Sequence, residues 1–142
     1  MDDFVFNIAK GAFAEKFRDA GANGGVLLLK VADTDAIMKD TDDLAALLAT
    51  AADEATDASY ARKTGLTGTV TVDDGNDRVD VDMPDQTWTA LAGAAITDAV
   101  IFYQDAAADA TRVPLTLHDF AVTPDGSDVT MQLNASGFAR AS

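Results

Sequence analysis

The chain contains no cysteine, a single histidine (His118), two glutamates (Glu15 and Glu54) and three prolines in 142 residues. Without cysteine, disulfides, thiolate metal sites and thiol nucleophiles are excluded. Cations are scarce as well: ten Lys and Arg stand against 24 Asp and Glu. They are dispersed, whereas phosphate binding needs them clustered, so no nucleic-acid or anionic-membrane partner is expected. Long apolar runs are missing too. The longest, Gly24 to Leu29 before Lys30, falls far short of the roughly 20 residues that span a bilayer. The N-terminus lacks a basic region followed by an apolar one, so a soluble product without a cleavable export signal is expected.

What the chain does have is aspartate and a core. Hydrophobic residues make up 48% of it, and a chain of this length should bury roughly two-thirds of its unfolded surface, which points to one domain. The formal net charge is -14, carried almost wholly by aspartates running from Asp2 to Asp128. A single acidic block would read as a disordered tail, but dispersed carboxylates on an apolar-patterned chain read as a hydrated surface round an ordinary core. Such a charge repels itself in dilute buffer and is screened at molar salt, where the Debye length is about 3 Å. Salt should therefore stabilise the fold. With little lysine and much alanine and threonine, the composition fits a protein that works in brine better than a DNA mimic or a calcium-loaded surface.

The apolar periodicity divides the chain in two. Residues Asn7 to Ala20 read as a helix capped by Asn7 and stopped by Gly21, with Ile8, Ala9, Phe13 and Phe17 near helical spacing. The run Val26 to Val31 reads as a buried strand. Asp33-Thr34-Asp35 opens a helical region through Met38, and Thr41-Asp42-Asp43 caps a second carrying Leu44, Leu47 and Leu48 and ending by Asp57. From about Ser59 the period becomes two. Thr69 to Val72 and Arg78 to Met83 flank the turn Asp73-Asp74-Gly75-Asn76-Asp77 as a hairpin, with Val79, Val81 and Met83 on the buried face and Arg78, Asp80 and Asp82 on the wet one. Pro84 ends that strand or sets it at an edge. Gln86 to Leu91, Ala99 to Gln104, Val113 to Thr123 and Val129 to Asn134 are further strands, and Pro124-Asp125-Gly126 is a turn. The expected fold class is α+β, with N-terminal helices packed on a mainly antiparallel sheet or sandwich. Residues 1–58 form a helical part with one buried strand and 59–142 the β part, within one domain overall.

No catalytic, cofactor or metal residue emerges from the motifs. His118-Asp119 is where a catalytic histidine would have to lie, but Ser59, Ser127 and Ser136 lack the glycine-flanked setting of a nucleophile elbow. A histidine ring satisfied by a neighbour is the expected reading. Asp73 to Asp77 offers oxygen ligands but neither the spacing nor the closing glutamate of an EF-hand, and it reads as a turn. Asp80 and Asp82 share a strand face about 7 Å apart, as carboxylates in so acidic a chain will by chance. Gly21, Gly24 and Gly25 have no Lys-Ser/Thr behind them and form no phosphate loop, while Asn134-Ala135-Ser136 is a formal glycosylation sequon. Trp88, the only tryptophan, reads as a sheet-packing anchor, with an interface anchor as the alternative.

Four stretches carry a resemblance: Asn7-Ile8-Ala9-Lys10-Gly11, Ser59-Tyr60-Ala61-Arg62-Lys63-Thr64, Asp77 through Leu91, and His118 through Gly126 running on to Ser142. Together they resemble a family of small virion-associated head-region proteins of tailed viruses of actinobacteria and haloarchaea. The resemblance implies a structural, non-enzymatic subunit of the virion, of capsid decoration or turret type. Such a subunit would be a homo-oligomer exposed on the particle, with the major capsid protein or neighbouring virion proteins as partners. A neck or tail connector and a receptor- or glycan-binding module are the alternatives. No functional residue is carried over by it.

Overall fold

The computed structural model describes residues 3–6, 23–104 and 106–141; the helix expected over Asn7–Ala20 lies outside them. At the centre is an antiparallel sheet in the order β1 (Phe4–Val5), β9 (Arg112–Val122), β8 (Ile96–Gln104), β2 (Gly24–Val31) and β3 (Asp53–Glu54). A further strand, β4 (Lys63–Leu66), pairs with β2 on the same side as β3. The sheet thus joins β1, β2 and β3 from before residue 58 with strands from after it. Its spine is the long β8–β9 hairpin flanked by β2, in register from Gly24 opposite Tyr103 to Leu29 opposite Asp98.

Both faces of the spine are covered, which explains why Gly24–Leu29 is continuously apolar and not alternating. Register and pleat put Leu27, Val100 and Leu117 on one side with Phe4, over whose ring Lys39 Nζ lies at 4.8 Å. Val26, Leu28, Ala99, Ile101 and His118 point to the other side, where the Phe138 ring meets His118 edge-on. Burial of each such leucine or isoleucine contributes about 1.5–3 kcal/mol. At Gly25 the backbone itself is the packing surface: a Cβ there would stand 2.3 Å from Cζ of Phe102, its cross-strand neighbour.

Two small antiparallel sheets complete the fold. One is β5 (Thr69–Asp73), β6 (Arg78–Asp82) and β11 (Ala139–Ala141), with β6 in the middle. The other pairs β7 (Gln86–Trp88) with β10 (Val129–Met131) and buries Gln86, Trp88, Val129 and Met131. The hairpin arises where the sequence places it, and Asp77 supplies the left-handed turn residue at φ 50°, as aspartate tolerates. Val81 and Met83 are buried as expected, whereas Val79 is only half-buried, and the Asp80 side chain, expected on the wet face, is 14% exposed beside Arg78. Trp88 is a core anchor, 1% exposed, and its indole N–H donates to the Ala61 carbonyl at 2.9 Å. The expected strands Gln86–Leu91 and Val129–Asn134 are shorter than read. The first is stopped by Ala90, at φ 51°.

The expectation of an α+β domain needs correction. Among the described residues the chain is largely β, and its α-helix is confined to α1 (Asp35–Met38) and α2 (Leu44–Leu48). The second helical run starts as read, with Asp43 Oδ1 accepting the Ala46 N–H, and it ends at Leu48, well before the Asp57 limit. The Thr50 hydroxyl donates to the Leu47 carbonyl and accepts the Ala52 N–H, while Asp33 Oδ2 accepts the Ala51 N–H. Side chains take over the backbone groups that another turn would have used, and the chain passes into β3. No helix among the described residues is long and apolar enough to cross a membrane.

Where β3 gives way to β4 along β2, a chain of polar groups closes the sheet edge. The Leu28 N–H donates to the Tyr60 hydroxyl at 3.0 Å, and that hydroxyl donates to Glu54 Oε1 at 2.8 Å. Arg62 grips Glu54 through Nε and Nη2, both at 2.6 Å, and holds Asp109 with its other face. Arg112 joins Asp109 to Gln104 and lies over the Phe102 ring. The Arg62 and Glu54 side chains are only 17% and 16% exposed. Removing one partner of such a pair leaves a desolvated charge behind. We expect Arg62→Ala to cost about 3 kcal/mol in denaturant unfolding, at low and at molar salt alike, because buried pairs are weakly screened. Lys39→Ala, which removes both the 4.0 Å pair with Asp35 and the contact with the Phe4 ring, should cost about 1 kcal/mol, well below Arg62→Ala.

Candidate functional site

His118 lies midway along β9 with its ring hydrogen-bonded through Nε2 and a carboxylate near Nδ1. Nε2 is 2.9 Å from the Thr116 hydroxyl, two residues earlier on the same strand face, and Nδ1 is 3.6 Å from Asp3 Oδ2. Burial pushes the imidazole pKa down, opposed by the nearby Asp3 carboxylate, so the ring is neutral at neutral pH. The order carboxylate, imidazole, hydroxyl is formally that of a hydrolytic triad. Thr116, however, is 3% exposed, and its hydroxyl is not presented to a substrate. The ring is satisfied by its neighbours, the arrangement expected from the sequence.

Beside the ring opens a cleft of about 310 Å³, where Phe120 and Phe138 adjoin Asp3, His118, Gln132 and Asn134. Aromatic surface beside amide and carboxylate groups can hold a small polar ligand with an apolar face.

The other residues singled out in the sequence serve the fold. The Ser59 hydroxyl accepts the Ala92 N–H, Ser127 is bound to Asp125, and the Ser136 N–H donates to Asn134 Oδ1 inside the sequon; none of them bonds to His118. Asp73 Oδ2 is occupied by the Asn76 amide at 2.8 Å and Arg78 Nε at 3.0 Å, so this carboxylate clamps the turn. Asp80 lies 3.1 Å from Arg78 Nε and accepts from Arg140 Nε at 2.7 Å, while Asp82 accepts the N–H of Met83. Gly24 starts β2, and a Cβ there would stand 2.8 Å from the Leu66 carbonyl oxygen.

One residue escaped the sequence reading. Asp98 is 2% exposed, and its Oδ1 has no hydrogen-bond partner. It sits opposite Asp119 and beside a recess of about 420 Å³ that Lys30 and Thr97 also line. Burial pushes its carboxyl pKa up, and the carboxylates of Asp119 and Asp35 add to the shift. The signal was in the strand parity, since Asp98 shares its face with Ile96, Val100 and Phe102.

Among the described residues, the fold and these sites define a β-dominated chain built from three antiparallel sheets on one apolar core. Comparison with family models, with curated proteins and with solved structures found no match for the chain.

An acid whose folded pKa lies above its unfolded value leaves stability unreduced below the unfolded pKa and loses it as pH rises through the folded one. Asp98→Asn, a neutral near-isostere, should therefore melt above the wild type at about pH 8, with the gain shrinking towards about pH 4 in a calorimetric series. A variant that melts lower at the higher pH would mean that the ionised carboxylate stabilises the fold.

Proposed function

We propose that this chain is a non-catalytic structural subunit of a tailed-virus particle adapted to high salt, of capsid decoration or turret type. One observation carries the reading. The β5–β6 hairpin carries a five-residue edge strand whose Val70 and Val72 are exposed, Val72 by 65%, more than any other large apolar side chain among the described residues. Apolar side chains beside unpaired backbone groups are a contact surface for another protein. The sequence resemblance to small head-region virion proteins points the same way, and the dispersed aspartate agrees with a particle from brine. In this reading, the N-terminal helix expected over Asn7–Ala20 or the C-terminal strand docks the subunit on a partner, and homo-oligomers form on the shell.

The aromatic and amide-lined cleft beside His118 favours a second reading, a module that binds host-surface glycans.

Quantitative mass spectrometry of purified virions tests the proposal, scoring this chain against the major capsid protein. The account expects a copy number on the order of hundreds, as symmetric display on a shell requires. About a dozen copies would move the chain to the neck or tail, and its absence from the particle would overturn the assignment.

A further inference from the structure

The edges of the sheets are not protected alike. The outer strand β3 is two residues long and wholly acidic, and β1 has only two residues. Short strands and charged side chains are the usual means of keeping a sheet edge from pairing with another chain. Strand β5 has neither defence. Its residues Thr69-Val70-Thr71-Val72 carry no charge, extend an uncharged stretch that begins at Thr64, and are all exposed. Among the described residues β5 pairs only with β6, so its outer row of backbone N–H and C=O groups faces solvent.

We propose that β5 is the contact between copies of this chain, pairing antiparallel with the β5 of a second copy to make a continuous six-stranded sheet. The strand's self-complementary apolar pattern argues for a second copy, and the charge distribution permits one here. Two molecules of net charge -14 repel wherever carboxylates meet, and β5 lets two copies approach along strands free of charge up to Asp73. Asp73 itself is turned towards Arg78 and Asn76 of its own hairpin. A two-fold axis through Thr71 sets Val70 of each copy against Val72 of the other. Paired residues then share a sheet face, as the pleat requires, and the four valines continue the apolar face of Val79 and Val81. One strand pair of this length buries less than the roughly 1,200 Å² of a standard stable interface. The contact is therefore weak in isolation and gains strength by repetition within an assembly.

This inference deepens the assembly reading by naming the surface between copies. The virion count tests that reading and cross-linking tests the surface, so either can fail alone. The absence of cysteine from the sequence makes the experiment clean. Full-length Thr71→Cys, oxidised at molar salt, should give a covalent dimer at least about tenfold more readily than Ala46→Cys on the exposed face of α2. Adding Val72→Lys, or independently Val72→Asp, should reduce dimer formation by about tenfold or more while circular dichroism stays unchanged, because this side chain is already in solvent. Cross-linking of Thr71→Cys no faster than the α2 control, or insensitive to both Val72 substitutions, would overturn the proposal.

Discussion

A buried backbone N–H with no strand beside it is the constraint on which this fold turns. Strand β2 runs through the core and must satisfy its outer edge, yet β3 covers only the end near Leu29 and Val31, and β4 only the end near Gly24 and Val26. At the gap, the Leu28 carbonyl accepts the Ala55 N–H, and the Leu28 N–H has no strand to meet it. An unpaired buried amide costs about 1–3 kcal/mol, and the Tyr60 hydroxyl removes that cost by standing in for a carbonyl. The same hydroxyl donates to Glu54, which raises the tyrosine pKa after the larger effect of burial, so Tyr60 keeps its proton. Glu54 then needs Arg62, and Arg62 reaches Asp109 at the far end of the β8–β9 hairpin. One missing ladder bond thus recruits residues from four parts of the sequence.

The same economy explains how so acidic a chain stays compact. Every arginine among the described residues lies against a carboxylate: Arg62 and Arg112 in the edge network, Arg78 and Arg140 round Asp80. Many aspartates are employed on the backbone. Asp3, Asp33, Asp43, Asp57, Asp82, Asp85, Asp125 and Asp128 each accept a main-chain N–H at a turn, cap or loop. The short aspartate side chain reaches nearby amides that glutamate overshoots, giving the excess of Asp over Glu a structural cause beside surface hydration. Glu54 is the described exception, and its longer side chain is the one that spans from a strand edge to Tyr60 and Arg62 together.

Much of the β architecture was legible because period-two patterning and turn chemistry are local. The hairpin about Asp73–Asp77, the strands expected over Ala99–Gln104 and Val113–Thr123 and the burial of Trp88 all follow from residues within a few positions of each other, whereas Asp125 and Gly126 are tied to the distant Ala92 and Leu91. The stop of the helix at Leu48 was legible only as a limit at Asp57, because what ends it includes Asp33, which binds the N–H of Ala51 18 residues on. Least legible was the edge network, whose Arg62–Asp109 link spans 47 residues and has no periodicity to betray it. Gly24 and Gly25 were read against a phosphate loop, although their role is to accept Leu66 and Phe102 at a distance no side chain permits.

The account's central claim is that Tyr60 completes the sheet at Leu28, and native-state amide hydrogen exchange on the wild type and on Tyr60→Phe tests it most directly. In the wild type the Leu28 amide should exchange only through global unfolding, with protection equal to that of Val100 in the sheet centre. In the variant, protection at Leu28 should fall further than at Val100 as its acceptor disappears. Equal protection at Leu28 in both proteins would contradict the account.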